Sequence, residues 1–215
     1  MLQIKIFPVN PLSANCIVFW EDAGKVCAVA DPGFYRKEEE EAVLSFLREN
    51  SLTPDSILLT HGHFDHTWGA ASLAKRFGCP VYMNPADDSV LHFGSSLLDR
   101  LQLRNSVELF DYLPVADGDT LSSGGCSWQV ITTPGHTPGS VCLICEDALF
   151  SGDTLFRGSC GRTDFPDGNY EDILRSLGRL GRLEGDYRVL PGHEETTGLD
   201  FERRFNPYLR QGLSL

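Results

Sequence analysis

Four side chains that commonly bind metals fall within six residues of the segment LLTHGHFDHTWG: His61, His63, Asp65 and His66. The segment begins with a short apolar run that predicts a buried strand ending near His61. Side chains two positions apart at the end of an extended strand point to the same side, so His61 and His63 can share one ion. The turn that follows can direct Asp65 and His66 toward a second position. Any fold of this chain must therefore place a strand end beside two potential metal positions.

Three more candidate ligands follow along the chain, each beside a glycine at a predicted strand end. They are His136 in TTPGHTPGS, Asp153 in LFSGDTLF and His193 in VLPGHEE. The remaining histidine, His92, lies in an apolar helical segment and is predicted to be an ordinary core or surface residue. Imidazole and carboxylate ligands suit Zn, Fe, Mn or Ni rather than thiolate-seeking ions. Because a catalytic zinc usually takes three protein ligands and one water, the set predicts a catalytic metal site.

The composition and charge of the chain restrict which partners it can bind and where in the cell it is expected. The 215-residue chain is 41% apolar and carries a formal net charge of -12. That charge opposes binding to nucleic acid or to an anionic membrane, since both depend on Lys and Arg. The first residues, MLQIKIFPVN, lack the basic start and long apolar stretch of a signal peptide, and no later window reaches the length of a membrane span. We expect one domain over 1–215, located in the cytoplasm.

The cysteines indicate free thiols rather than a disulfide framework, because there are seven of them and their spacing is irregular. Cys142 and Cys145 form a C-x-x-C within SVCLIC, which reads as a strand. Positions three apart on a strand point to opposite faces, so we predict that both are buried core thiols and not a redox pair.

The order of elements predicts an α/β protein with helices and strands interspersed. Helical periodicity predicts helices in four segments, RKEEEEAVLSFLREN, TWGAASLAKRFG, PADDSVLHF and NYEDILRSLGRL. Short or alternating apolar runs predict strands at LQIKIFPV, NCIVFW, VCAVA, ILLT, VYM, WQVIT, SVCLIC, ALFS and YRVL. This mixture favours layers of helices packed on sheets.

The successive motifs THGHFDH, TPGHTPGS, SGDTLF and LPGH resemble the metal-binding motifs of the metallo-β-lactamase superfamily. The resemblance implies a four-layer αβ/βα sandwich, in which two mixed sheets are flanked by helices. It also implies two divalent metal ions, Zn before Fe or Mn, and a supporting role for Asp31 in ADPG. The implied ligands are His61, His63 and His136 for one ion, Asp65, His66 and His193 for the other, and Asp153 between them. Asp65 is further predicted to take part in catalysis.

The loop GDTLFRGSCGRTDFPDG most resembles the glyoxalase II-like branch, which hydrolyses thioesters such as S-lactoylglutathione. Histidine at position 63 is similar to the hydrolytic members, whereas flavodiiron oxidases have Glu there, and Asp153 stands where many true β-lactamases have Cys. The resemblance implies substrate binding by Arg162 and Phe165; the alternative for Arg162 is an exposed residue that holds the loop by a salt bridge. Full glyoxalase II enzymes add a C-terminal helical domain that helps bind glutathione, whereas 22 residues follow His193 here.

We therefore predict a hydrolase whose partner is a small-molecule thioester. A water held between two metals loses its proton near neutral pH, so a metal-bound hydroxide would be the nucleophile. The alternative is an iron-dependent persulfide dioxygenase, since RGSCGRTDF is similar to that group as well. In that case His61, His136 and Asp153 would form a two-histidine, one-carboxylate iron site. Hydrolysis of a lactone, another ester or a phosphodiester is the third reading, and the oligomeric state is left open.

Overall fold

The computed structural model describes residues 1–93 and 108–215 and contains two six-stranded sheets. The strands of the first sheet, in spatial order, are β1 Leu2–Val9, β2 Ala14–Glu21, β3 Val26–Ala30, β4 Thr53–Leu58, β5 Val81–Met83 and β6 Leu113–Pro114. The pairs β1/β2 and β2/β3 are antiparallel, and the three pairs from β3 to β6 are parallel. The first sheet is therefore mixed.

The second sheet is also mixed and is formed by later parts of the chain. The strands that follow β6 are β7 Thr120–Ser123, β8 Cys126–Thr132, β9 Val141–Cys145, β10 Ala148–Gly152, β11 Leu155–Phe156, β12 Ser159–Cys160, β13 Arg188–Pro191 and β14 Thr197–Gly198. Strands β11 and β12 form a separate ribbon, and the sheet order is β14-β13-β10-β9-β8-β7. Because β8 and β10 both run antiparallel to β9, and β13 runs parallel to β10, the carboxyl ends of all three lie at one edge.

Helices cover the outer faces of both sheets. The helices are α1 Lys37–Glu49, α2 Phe64–Thr67, α3 Ala70–Phe77, α4 over residues 88–93, α5 Tyr170–Gly181, α6 Leu199–Phe205 and α7 Pro207–Leu213. A short 3₁₀ helix, Pro85–Asp87, precedes α4. Among residues 1–93 and 108–215, no helix combines the length and the apolar character needed to cross a bilayer.

Alternation along the strands divides the apolar residues into three layers of core. In β2, Cys16 and Val18 pack toward α1 and α3, whereas Ile17 and Phe19 pack between the two sheets. A third cluster lies between the second sheet and helices α5, α6 and α7. This period of two is what a strand buried on both faces requires. The four-layer αβ/βα sandwich with two mixed sheets is confirmed.

The cysteines follow the prediction. All seven are free, and Cys142 and Cys145 are both buried. Cys142 belongs to the core under the C-terminal helices, whereas Cys145 belongs to the core between the sheets. The C-x-x-C motif therefore spans two separate apolar layers, as expected for opposite faces of one strand.

Some element boundaries differ from the predictions. Strand β4 starts at Thr53, four residues before the predicted ILLT strand, because Thr53 and Pro54 pair with β3 across an irregularity in the register. The sequence predicts one helix from Thr67 onward. In the structure Thr67 ends the short helix α2, and helix α3 begins at Ala70 after residues 68–69. The early start of β4 was not predicted because TPDS is polar, and the break between α2 and α3 was not predicted because α2 is short. In both places strand pairing and packing override the local propensity.

Candidate metal centre

Every candidate ligand lies in a loop or short helix that follows the carboxyl end of a strand. The first sheet supplies His61 after β4, and the second sheet supplies His136 after β8, Asp153 after β10 and His193 after β13. Because the latter three strand ends share one edge of the second sheet, residues far apart in sequence meet at one position. The structure brings all seven predicted ligands together there.

The first group of ligands consists of three histidines, His61, His63 and His136. Their nearest ring nitrogens all lie within 4.8 Å of one another. The Nδ1 of His63 is 2.9 Å from the Nε2 of His136. Three imidazoles around one point form the ligand arrangement of a catalytic zinc site.

The second group consists of Asp65, His66 and His193, again with ligand atoms within 4.8 Å of one another. Helix α2 presents Asp65 and His66 from adjacent positions, and the loop after β13 presents His193. The two Nε2 atoms of His66 and His193 are 3.1 Å apart, and the Oδ2 of Asp65 is 3.3 Å from the Nε2 of His193. This group contains a carboxylate, so the two groups differ in charge.

Asp153 lies between the two groups. Its Oδ2 is 3.5 Å from the Nε2 of His136 in the first group and 3.6 Å from the Nε2 of His193 in the second. Its Oδ1 is 3.5 Å from the Nε2 of His66. A carboxylate in contact with both groups has the placement required of a bridging ligand.

Hydrogen bonds on the outer side of the rings determine which nitrogen faces the centre. The Nδ1 of His136 lies 2.8 Å from the carbonyl oxygen of Arg162, and the Nδ1 of His193 lies 3.0 Å from the carbonyl oxygen of Leu12. A carbonyl oxygen can only accept, so both Nδ1 atoms carry a proton and both Nε2 atoms are turned toward the centre. His66 behaves in the same way, since its Nδ1 donates to a carboxylate oxygen of Asp31 at 2.9 Å.

His61 and His63 complete the ligand geometry in two different ways. The Thr60 hydroxyl donates to Asp31, so its oxygen is left to accept from the Nδ1 of His61 at 3.0 Å. The Nε2 of His61 then points inward. His63 instead directs its Nδ1 toward the first group.

Two buried polar atoms at the centre have no hydrogen-bond partner: the Nε2 of His61 and the Oδ1 of Asp153. A buried unpaired polar atom costs roughly 1–3 kcal/mol, and native proteins contain few of them. The Nε2 atoms of His66 and His193 also face each other at 3.1 Å. A pair of divalent cations would satisfy all of these atoms at once, so the donor set fits the two ions that the sequence predicts.

The protonation equilibria differ between the two groups. Burial and the neighbouring histidines lower the pKa of His61 far below its usual value, and burial with the nearby His136 lowers the pKa of His63 to about 3. Both imidazoles are therefore neutral at physiological pH and available to a metal. Burial opposes the charging of His66, but Asp153, Asp65 and Asp31 outweigh it and raise its pKa to about 10. The second group thus concentrates negative charge that favours a cation.

Asp31 supports the centre from behind. It is fully buried and accepts hydrogen bonds from the Thr60 backbone amide, the Thr60 hydroxyl and the His66 ring. With its oxygens used in this way, Asp31 orients two ligand rings rather than facing an ion itself. The backbone at Asp31 has a positive φ of 46°, a conformation that non-glycine residues seldom adopt and that recurs at functional sites.

Sequence reasoning missed three residues that position the ligand loops. The side chain of Asn10 donates to the carbonyl oxygen of Asp65 at 2.8 Å, and that of Asn15 donates to the carbonyl oxygens on either side of His193, at Pro191 and Glu194. Asp87 accepts hydrogen bonds from two ligand loops. Buried polar residues of this kind leave no periodic pattern, although the polar turn VNPLSAN was an available signal. His92 is an exposed surface residue.

A cavity of about 570 Å³ opens onto the candidate ligands. Arg162 and Phe165 both line it, together with Leu12, Phe156, Cys160 and Glu194. The guanidinium of Arg162 makes two hydrogen bonds to Asp164, at 2.6 and 2.7 Å, and lies 4.1 Å from the centre of the Phe165 ring. The salt bridge considered from sequence is therefore present, and the same residue also borders the cavity.

Curated relatives match the chain over almost its full length. An uncharacterised protein of Mycobacterium tuberculosis is 38% identical over 97% of this chain and 97% of its own. The hydroxyacylglutathione hydrolase GloC of Haemophilus influenzae is 34% identical over 97% of this chain and 98% of its own.

Solved structures share the fold. The di-iron-bound form of TTHA1623 superposes with a TM-score of 0.84 at 33% identity, covering 95% of this chain and 99% of that one. BLEG-1, described as a B3 metallo-β-lactamase, gives 0.83 at 33% identity over 96% and 99%. ETHE1 from Myxococcus xanthus gives 0.78 at 26% identity over 95% and 83%.

The family model for the metallo-β-lactamase superfamily matches residues 9–193, which include all seven candidate ligands. Members of this superfamily are generally metal-dependent hydrolases. The match agrees with the resemblance inferred from the four motifs and with the sandwich and its His/Asp clusters. The chain belongs to the metallo-β-lactamase superfamily.

Proposed function

We propose that the protein is a two-metal thioester hydrolase that acts on hydroxyacylglutathiones such as S-lactoylglutathione. The observation that carries the proposal is the pair of complete three-residue groups with Asp153 between them. The substrate class is supported by the similarity to the hydroxyacylglutathione hydrolase GloC over nearly the whole of both chains. A small molecule of this size fits a cavity of about 570 Å³.

His61, His63 and His136 would hold one ion, Asp65, His66 and His193 the other, and Asp153 both. Two divalent ions supply an activated water and polarise the carbonyl of the substrate. The Asp31 carboxylate and the backbone carbonyl oxygens of Leu12 and Arg162 accept from the Nδ1 atoms of three ligand histidines and so turn their Nε2 atoms toward the centre. Asp65, the carboxylate of the second group, is proposed to orient the attacking water as well as to bind metal.

A cysteine nucleophile is disfavoured in this cavity. Cys160 lines the cavity, but burial raises the pKa of its thiol to about 11. At neutral pH this thiol is almost entirely protonated, and the thiol form is a poor nucleophile. The leaving thiolate of a thioester, by contrast, departs readily, because free thiols have pKa values of about 8.5. Attack by water is therefore the favoured route.

The test is hydrolysis of S-lactoylglutathione by zinc-reconstituted protein, monitored through the release of free thiol. We expect turnover that disappears in a chelator-treated sample and returns when zinc is added back. A chromogenic cephalosporin is the parallel substrate, because BLEG-1 is described as a β-lactamase. Metal-loaded protein that leaves the thioester intact would contradict the proposed function.

A persulfide dioxygenase is the second candidate, favoured by the structural similarity to ETHE1, a persulfide dioxygenase. In this alternative His61, His136 and Asp153 would hold a single iron, and Asp153 does lie 3.5 Å from His136. Oxygen uptake by iron-loaded protein with glutathione persulfide would favour this activity. Absence of uptake, together with thioester turnover by the same preparation, would exclude it.

Arg162 is proposed to contact the substrate at the rim of the cavity. We expect Arg162→Ala to raise KM for S-lactoylglutathione about tenfold with a smaller change in kcat, since removal of a contact made equally in ground and transition states raises KM alone. Asp164→Ala is the matched variant, because it removes the salt bridge but leaves the Arg162 guanidinium in place. It should leave KM nearly unchanged. If both substitutions raise KM equally, the salt bridge only holds the loop.

A further inference from the structure

Asp87 is a buried carboxylate that belongs to neither ligand group. Its exposed fraction is 0%, and it ends the 3₁₀ helix that follows β5. The helix start is fixed by Asn84, whose side chain accepts from the backbone amide of Ala86 at 3.0 Å. The backbone that carries Asp87 is therefore anchored on the first sheet.

The carboxylate of Asp87 joins the two loops that carry the first ligand group. Its Oδ2 accepts from the backbone amide of Gly62 at 2.8 Å, and Gly62 lies between His61 and His63. The same oxygen accepts from the hydroxyl of Thr137 at 2.7 Å. Its Oδ1 accepts from the backbone amide of Gly139 at 2.6 Å.

These contacts link different sheets. Gly62 follows β4 of the first sheet, whereas Thr137 and Gly139 lie in the β8–β9 loop of the second sheet. The three donors converge on one carboxylate, and hydrogen bonds to a charged acceptor are shorter and stronger than neutral ones. The distance between the strand end bearing His61 and the loop bearing His136 thus depends on Asp87.

The two glycines make this approach possible. A Cβ at Gly62 would lie 2.9 Å from the carbonyl oxygen of Asp87, and one at Gly139 would lie 2.7 Å from its Cγ. Both positions are closer than a real Cβ allows, so any larger residue would push the loops away from the carboxylate. Gly62 and Gly139 therefore allow the two loops to approach Asp87.

Burial of Asp87 opposes its ionisation and raises the pKa of the carboxyl, while the donors from Thr137, Gly62 and Gly139 lower it. A buried acid that only filled space would be replaced without loss by an apolar residue, because desolvation of a carboxylate is costly. Here the group is matched by three donors that all come from the loops of one ligand group. The second group is held by Asn10 and Asp31, and Asp31 also reaches His61 of the first group through the Thr60 hydroxyl.

We propose that Asp87 is the positioning residue of the first metal group, holding His61 and His63 at the correct distance from His136. It acts through the two loops and touches neither metal nor substrate. The inference rests on the proposed two-metal site. Asp87 thereby controls the metal affinity of the first group and not that of the second.

The test measures metal affinity rather than activity. Zinc is titrated into chelator-treated protein in competition with a chromophoric chelator, which gives the stepwise dissociation constants. We expect Asp87→Asn to weaken one of the two sites by about 10–100-fold, the usual effect of removing an outer hydrogen-bond partner of a metal ligand. Asparagine keeps the volume but presents an amide donor in place of one oxygen, so at least one of the three donors loses its acceptor. Asp88→Asn, an exposed neighbour, is the matched control and should leave both affinities unchanged.

Two backgrounds identify which site is affected. In His193→Ala protein only the first group remains complete, and there Asp87→Asn should weaken the remaining zinc binding. In His63→Ala protein only the second group remains complete, and there the same substitution should change the dissociation constant less than about threefold. Thermal unfolding of the chelator-treated proteins monitors the fold, and each Asp87→Asn variant is compared with its own background.

The outcomes separate the inference from the proposed function. Unmodified protein that binds fewer than two zinc ions per chain would contradict the two-metal function. Unmodified protein that binds two ions while Asp87→Asn retains both affinities would contradict the role of Asp87. Equal weakening in both backgrounds would also overturn it, since a general loss of structure affects both groups alike.

Discussion

Replacing Asp153 by alanine should reduce thioester hydrolysis to background, by roughly a thousandfold or more. A metal centre contributes several kcal/mol of transition-state stabilisation, and each 1.4 kcal/mol or so corresponds to about tenfold in rate. Asp153 lies within 3.6 Å of a histidine of each group, so its loss removes a ligand from both. His61→Ala should have a comparable effect, because its Nε2 is one of the two buried atoms without a partner. The measurement is kcat/KM for S-lactoylglutathione together with zinc content per chain.

Asp153→Asn is the informative companion to the alanine variant. It keeps the size of the side chain and one oxygen but removes the negative charge shared by the two groups. We expect it to lose activity almost as fully as Asp153→Ala, while its zinc content falls less. Asp172→Ala, which removes a partly exposed carboxylate on α5, is the control for charge. Full turnover by purified, zinc-loaded Asp153→Ala or His61→Ala would rule out the two-metal mechanism.

Replacing Trp128 by alanine should lower the free energy of unfolding by about 3–5 kcal/mol, the usual cost of truncating a large buried aromatic residue. Trp128 is fully buried between the sheets, and its ring centre lies 4.6 Å from that of Phe19 in an edge-to-face arrangement. Its indole nitrogen donates to the carbonyl oxygen of Ser123 at 3.1 Å. The substitution removes this aromatic contact between the two sheets as well as the hydrogen bond to Ser123.

Urea denaturation should be followed in chelator, since bound metal adds its own stabilisation to the folded state. Trp128→Phe keeps an aromatic ring but leaves the Ser123 carbonyl without its donor, so we expect an intermediate loss. Phe205→Ala removes an aromatic residue that is 63% exposed and should change the free energy of unfolding far less. A loss below about 1 kcal/mol for Trp128→Ala would mean that the sheets are held mainly by other contacts.

The family and the seven candidate ligands could be predicted from sequence because both depend on local patterns. His61, His63, Asp65 and His66 lie within six residues, and the later ligands each sit beside a glycine after an apolar run. The alternation of apolar residues in β2 and β9 likewise specifies strands buried on both faces, as the two layers contacted by Cys142 and Cys145 confirm. These features need no knowledge of which strands are neighbours.

The tertiary structure alone decided how the ligands are held. Which ring nitrogen of His66 or His136 faces inward depends on acceptors at Asp31 and Arg162, which are distant in sequence. The link from Gly62 to the loop after His136 runs through Asp87, a residue that the sequence placed in an ordinary helix. Hydrogen bonds between loops are set by the packing of two sheets, and a single buried polar residue carries no periodicity from which such a contact can be inferred. The sequence by itself therefore determined which side chains could bind metal, whereas sheet packing determined their orientation and spacing.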